Sequence, residues 1–438
     1  MEKLHRSSDP FWRFALPSML AQLLNSLFII VDGFFIGQNM GDAGLAAINV
    51  AWPLVAFIQA ISMAIGTGAA VRLAIDVGRG DLESAQKARG HAIFMLSGVT
   101  LLLGLGFYLS GPWLLPMLGA NEELYPLTVE YIRVVCIFSG CQIFTTGLLP
   151  LLRGSGRNIA AMLLTVLGLI CNIWLDWLFI HHYHWGMEGA ALATALAQGA
   201  CALPCVFLLM HHKKFPSRRE KFRLEPRRMM GILYYGISTF GLSVSSSILI
   251  LFGNLQALRY GGTQGVAVYA VLSYILGSVI PLVSGVGDGI QPLLGNAYGA
   301  MDWDSIAKLR RKGLTLAVGT SFVCSVICWG FREQLPMLFG ASEEGITECA
   351  GAMWTLVVAF PFMAAVRFWC SYFCALGIPT ASSALAYGEP LIVQPIFLFV
   401  LPLFMDLQGV WVSYPVAVAV MAGIAWWLLQ SHRRKHPH

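Results

Sequence analysis

Twelve sustained apolar stretches, six in each half, dictate the solvent in which this chain can fold. They fall at about 11–37, 44–71, 91–110, 124–152, 158–182, 187–210, 231–258, 264–298, 312–331, 346–375, 381–402 and 408–431. An apolar run of roughly 20 residues crosses the hydrocarbon of a bilayer as a helix, because a helix satisfies its backbone polar groups without water. With 57% hydrophobic and 12% charged residues, the chain could not hide its apolar surface in one aqueous core. The expected fold class is an all-α integral membrane protein with twelve transmembrane helices in two six-helix bundles.

The halves are near copies, 221 residues apart. Gly41, Gly44, Gly66, Gly68 and Gly78 recur as Gly262, Gly265, Gly287, Gly289 and Gly299, and Asp81, Lys87 and Gly156 as Asp302, Lys308 and Gly377. A period this long is a duplicated domain, since solenoid units run to roughly 20 to 50 residues. Six spans is an even number, so both copies share one orientation, related by a pseudo-two-fold axis along the membrane normal. The expected organisation is an N-terminal lobe at 1–210, a basic inter-lobe linker at 211–230 and a C-terminal lobe at 231–438.

Basic residues are retained on the cytoplasmic side of a membrane. With the N-terminus inside, the inner segments hold 24 of the 28 Lys and Arg, leaving only Arg133, Arg259, Arg332 and Arg367 elsewhere. Both termini are therefore expected in the cytoplasm, with the chain multi-pass in the plasma membrane. The linker, with Lys213-Lys214, Arg218-Arg219 and Arg227-Arg228, would lie on an anionic leaflet. The net charge of +5 reflects this topology, and nucleic acid is not an expected partner. The basic start runs into an apolar stretch too long for a removable signal peptide, so the first helix is expected to direct insertion.

Ten cysteines raise the question of a metal, but nearly all lie within apolar segments, as at Cys201 and Cys205, Cys324 and Cys328, Cys370 and Cys374. Without a histidine or carboxylate at ligand spacing, they read as small buried hydrophobes. The run His181-His182-Tyr183-His184 reads as an exposed interfacial loop. Phosphate-cradling, nucleophile-elbow and zincin patterns are absent from the sequence, so neither an enzyme nor a cofactor is expected.

Chemistry is therefore sought among polar residues in the hydrocarbon, where an ionisable side chain costs roughly 2.5 to 3.5 kcal/mol on insertion scales. The first span carries Asp32; the fifth carries Asn172 and Asp176, four apart on one helix face. Both aspartates lie five or six residues from an outer helix end, roughly 8 Å deep at about 1.5 Å per residue. Thr194 on the sixth span reaches a similar depth. Gly253 and Ile396 or Phe397 stand at the positions of Asp32 and Asp176 in the other half, so the site is single. Two carboxylates, an amide oxygen and a hydroxyl suit a coupling cation, either H+ or Na+, and no other metal.

A second group, Asp288, Arg367 and Glu389, lies nearer the inner face of the other lobe, where the repeat partners Thr67, Thr146 and Gly168 are uncharged. It reads equally as a self-compensating network or as an inner-side substrate or gating site. Pro17 interrupts the first span and would let it bend as Asp32 changes protonation. Gly66-Thr67-Gly68 and Gly285 to Gly289 read first as close-packing sites.

The segment Phe11 to Ala47, with Pro17, Asp32-Gly33, Ile36-Gly37, Gly41 and Ala46-Ala47, resembles the first helix and outer turn of the multidrug and toxic compound extrusion (MATE) transporters. The run Gly285 to Gly299, with Gln291-Pro292 and Tyr298-Gly299, is similar to that family's eighth helix. The likeness spans the chain and implies the MATE fold, with export of cationic amphipathic compounds in exchange for H+ or Na+ by alternating access. In DinF-like prokaryotic members the ion site combines residue types that match Asp32, Asn172, Asp176 and Thr194. NorM-like members use an acid on the seventh helix, and none stands between Gly231 and Arg259 here. The expected partners are small organic cations and the bilayer, with the chain acting as a monomer. The alternatives are a lipid-linked oligosaccharide flippase of the same superfamily, which should carry a more cationic cavity, and a non-transporting scaffold or channel, which would not need the acids.

Overall fold

A computed structural model of the chain describes residues 9–118, 122, 124–211, 224–338 and 343–435. Twelve membrane-length helical segments appear among them: α1 Pro10–Gly41, α2 Ala46–Gly78, α3 Leu82–Met117, α4 as the bent pair Leu124–Ile137 and Ser139–Gly154, α5 Asn158–His182, α6 Gly186–Met210, α7 Pro226–Gly262, α8 Gln264–Gly299, α9 Trp303–Gly330, α10 Glu343–Ala375, α11 Pro379–Val400 and α12 Pro402–His432. The helices outrun the apolar stretches at both ends, because polar first turns such as 82–90 and 303–311 continue the helix past the hydrocarbon. Contacts gather the chain into two units, Met1–Phe240 and Gly241–His438. The start of α7 thus packs with the first unit, where the Gly236 backbone lies against the Ala64 carbonyl of α2. Most of the basic linker, 212–223, lies outside the described residues, as do Lys3 and Arg6.

The duplication is written into the backbone. Gly41 (φ 62°, ψ −153°) and Gly262 (φ 62°, ψ −155°) make the same break between successive spans, in a region that L side chains avoid and glycine tolerates. Asp81 and Asp302 cap the next helices by accepting hydrogen bonds from Ser84 N at 2.9 Å and Ser305 N at 3.0 Å. Those bonds hold both carboxyls below the usual aspartate range. A depressed carboxyl contributes stability that is present above its unfolded pKa and is lost as pH falls through the folded value. Replacing Asp302 by Ala removes this cap and is expected to give a small fall in the midpoint of thermal unfolding in detergent.

The core of the first unit joins α2, α3, α4, α5 and α6 through buried Ile58, Leu96, Ile143, Leu151, Leu164 and Leu209. A Cβ on Gly66 would stand 2.0 Å from the Gly147 carbonyl oxygen. The glycine there serves close packing of α2 on α4, as small residues do between membrane helices.

Three features depart from the apolar pattern. The fourth span bends by 60° about Phe138, with no proline at the bend to announce it. The end of α5, Trp177–His182, is wound as a π-helix, and so is Glu389–Val393 in α11, where Pro390 removes one backbone donor. The expected interruption at Pro17 does not occur: α1 stays helical through it. Non-helical backbone is costly in hydrocarbon, which favours an unbroken helix. Here the Asn158 amide of α5 donates to the Phe14 carbonyl at 3.1 Å and to Ser18 Oγ at 3.3 Å, tying α5 to α1 on either side of the proline.

Candidate functional site: a carboxylate pair in the first unit

Helices α1, α5 and α6 bring the four predicted ion-site residues together. Thr194 Oγ1 of α6 donates to Asp32 Oδ1 of α1 at 3.1 Å. Asn172 and Asp176 stack on the inward face of α5, each fully buried, as their four-residue spacing requires. Asn172 lies within interaction reach of both carboxylates, and Asp32 is close enough to Asp176 for the two charges to repel. Both oxygens of Asp176 and both polar atoms of the Asn172 amide are buried without a geometrically formed hydrogen bond among the described residues. Buried polar groups normally have partners, since leaving one unsatisfied costs about 1 to 3 kcal/mol. Such unpartnered oxygens are able to accept a proton or to contact a small cation.

One turn beyond the acids, the same three helices switch to apolar side chains. Ile36, Ile180 and Ala190 form a buried cluster with Phe35, Met40 and Ile48 against it. Ile36 follows Asp32 by four residues, Ile180 follows Asp176 by four, and Ala190 precedes Thr194 by four. The apolar layer therefore lies between the site and the helix ends at Gly41 and His182.

Tyr131 of α4 is a site residue that the sequence reading missed. It is buried and within electrostatic reach of both Asp32 and Asp176. A neutral phenol in an apolar helix raises no charge signal. The duplication carries one nonetheless: Ala352 stands 221 residues on, so the site's asymmetry extends to this position.

In the second unit, Arg367 of α10 meets Glu389 of α11 with Nη2 3.5 Å from Oε1. Glu389 is buried and opens the π-helical turn of α11. Asp288 of α8 joins them less directly: Cys370 lies within electrostatic reach of all three residues. Arg367 Nε and the Tyr414 hydroxyl are buried without hydrogen bonds among the described residues, and the two side chains interact electrostatically. The ten cysteines are free thiols, some placed as backbone donors, as with Cys201 Sγ to the Leu164 carbonyl at 3.0 Å. The histidine-rich loop is taken up in ring stacking, His182 on Trp177 with centroids 5.9 Å apart.

The MatE family profile matches residues 17–178 and 237–402, most of both halves. The chain belongs to the MatE family. Among curated relatives, the multidrug export protein MepA of Staphylococcus aureus is 24% identical over 419 residues, covering 93% of this chain and 90% of MepA. MepA of Staphylococcus haemolyticus is 22% identical, covering 96% and 93%. Among solved structures, the outward-facing conformation of a multidrug resistance MATE family transporter of the MOP superfamily superposes with a TM-score of 0.92 at 24% identity, covering 97% of this chain and 96% of that one. A MOP superfamily transporter from Pyrococcus furiosus, described as having a binding pocket of reversed polarity, matches with a TM-score of 0.90 at 25% identity, covering 98% and 97%. This MatE protein thus has the fold of those transporters over nearly its whole length.

Proposed function

We propose that this MatE protein is a multidrug exporter that releases cationic amphipathic compounds in exchange for an inward-moving H+ or Na+. The observation that carries the reading is the pair of half-buried Asp32 and buried Asp176, with Thr194 bonded to one and Asn172 within reach of both. Like charges buried together repel, and a bound cation offsets that cost. The names of the MepA relatives, both multidrug export proteins, support the same direction.

Binding an ion at the pair changes the charge between α1 and α5, and therefore favours whichever arrangement of α1 brings Asp32 nearest Asp176. A ligand shifts a conformational equilibrium only by its differential affinity for the two states. Pro17 is the place where α1 has the fewest backbone bonds to lose by bending. Solved MATE relatives are described in a bent and in a straight conformation, which fits an ion-dependent flexure. On this reading the chain sits in the bacterial plasma membrane with both termini inside, acts as a monomer and needs no cofactor beyond the coupling ion. Asp288, Arg367 and Glu389 would gate or line the inner part of the substrate path.

Purified protein in proteoliposomes, loaded with a cationic dye, tests the proposal when proton and sodium gradients are imposed separately. One gradient is expected to drive dye transport well above the ungradiented rate. Transport indifferent to both would refute ion coupling.

A further inference from the structure

A second charged site lies at the end of the first unit opposite the apolar layer, where α2, α3 and the start of α7 meet. A cavity of about 340 Å3 opens there, lined by Arg72, Arg227 and Arg228 with Glu225, Gly231 and Ile232. Its walls are held by neighbouring groups. Asp76 accepts from Arg72 Nε at 2.9 Å, Glu225 pairs with Arg228, and Lys87 Nζ approaches Glu225 at 3.4 Å. The Glu225 backbone N–H donates to Nε2 of the buried His91 at 2.9 Å, which anchors the entry to α7 on α3. Those partners hold the Glu225 carboxyl below the usual glutamate range, so it stays charged and keeps its hold on Arg228 and Lys87.

Three guanidiniums on one cavity supply more donors than the adjoining carboxylates take up, since each carries five N–H groups. Arg227 has no acid within ion-pair distance among the described residues, and it is exposed. Along α7 it begins a stripe that continues through Met230, Tyr234 and Ile237, which are 65%, 53% and 42% exposed. Residues three and four apart share a helix face. A cationic cavity therefore adjoins an uncovered apolar strip at one helix end, on the side that the basic residues assign to the cytoplasm. The α7 N-terminus adds its partial positive charge.

We propose that this cavity binds the phosphate of an anionic membrane lipid, with the acyl chains lying along the Met230, Tyr234 and Ile237 stripe. A free phosphate would answer to the guanidiniums but leave the stripe unused; a lipid answers to both. Arginine suits the role because its planar fork matches two phosphate oxygens at once. The site is separate from the carboxylate pair and does not depend on ion coupling, so binding can be read without transport.

Full-length protein in detergent, stripped of lipid and then given phosphatidylglycerol and phosphatidylcholine in equal amounts, should in native mass spectrometry bind phosphatidylglycerol in preference. Arg227→Gln should weaken phosphatidylglycerol binding roughly fivefold, the effect of one basic residue at a membrane surface, and Arg227→Glu should weaken it further. Lys308→Gln with Arg311→Gln, basic positions in the second unit, should leave it unchanged. The proposal is overturned if Arg227→Glu binds like the wild type, or if the control pair weakens binding as much. It is equally overturned if inorganic phosphate at the same concentration as the lipid displaces it, because the apolar stripe would then add nothing to binding.

Discussion

Replacing Asp32 by Asn is expected to abolish ion-driven dye export while leaving the protein inserted and folded. The amide keeps the shape of the side chain and can still accept from Thr194, whose hydroxyl lies 3.1 Å from Asp32 Oδ1. It removes the negative charge on which binding of a cation depends. A gradient acts only through the ion that binds, so the gradient-driven part of transport should vanish and only the ungradiented rate remain. Everted vesicles carrying the variant and scored with a cationic fluorescent dye give the measurement. Wild-type rates in those vesicles would remove Asp32 from the coupling role and would revive the reading of a scaffold or channel indifferent to its acids. Asp176→Asn should behave alike, because Asp176 is the other half of the pair and is the more deeply buried.

In the second unit the largest expected effect is on stability. Arg367→Met leaves Glu389 buried without its partner, and breaking a buried ion pair from one side costs about 3 to 5 kcal/mol. Removing both charges, with Arg367→Met and Glu389→Gln together, should recover most of that loss, because a neutral apolar and amide pair has no uncompensated charge. Thermal unfolding in detergent checks the pattern: a large fall for the single variant and a small one for the double. Transport by the stable double variant then separates the two readings of the network. Export near the wild-type rate makes it structural, and lost export in a stable protein makes it part of the substrate path.

The two sites were legible in the sequence to different depths. Asp32, Asn172, Asp176 and Thr194 stood out because charge inside hydrocarbon is costly, because a four-residue spacing fixes a helix face, and because the duplicated half lacks the acids. Tyr131 carried no charge and was hidden among apolar neighbours, although its repeat partner Ala352 marks the same asymmetry. Pro17 pointed to a break that the fold does not make, for α1 stays helical through it. The 60° bend about Phe138 had no proline to announce it. The cavity among Arg72, Arg227 and Arg228 joins residues more than 150 positions apart in the chain, and no local pattern records that they meet.

What this chain determined by itself is the membrane as its solvent, twelve spans, their duplication and the handful of polar residues that must be explained. Those follow from composition and period, because the cost of exposing a backbone or a charge to hydrocarbon is local and is paid residue by residue. What only the tertiary structure decided is which of those polar groups face one another. The Thr194 bond to Asp32 and the apolar layer of Ile36, Ile180 and Ala190 above it both depend on how α1, α5 and α6 pack. Packing is set by side-chain shape between helices far apart in sequence, and no single helix contains that information.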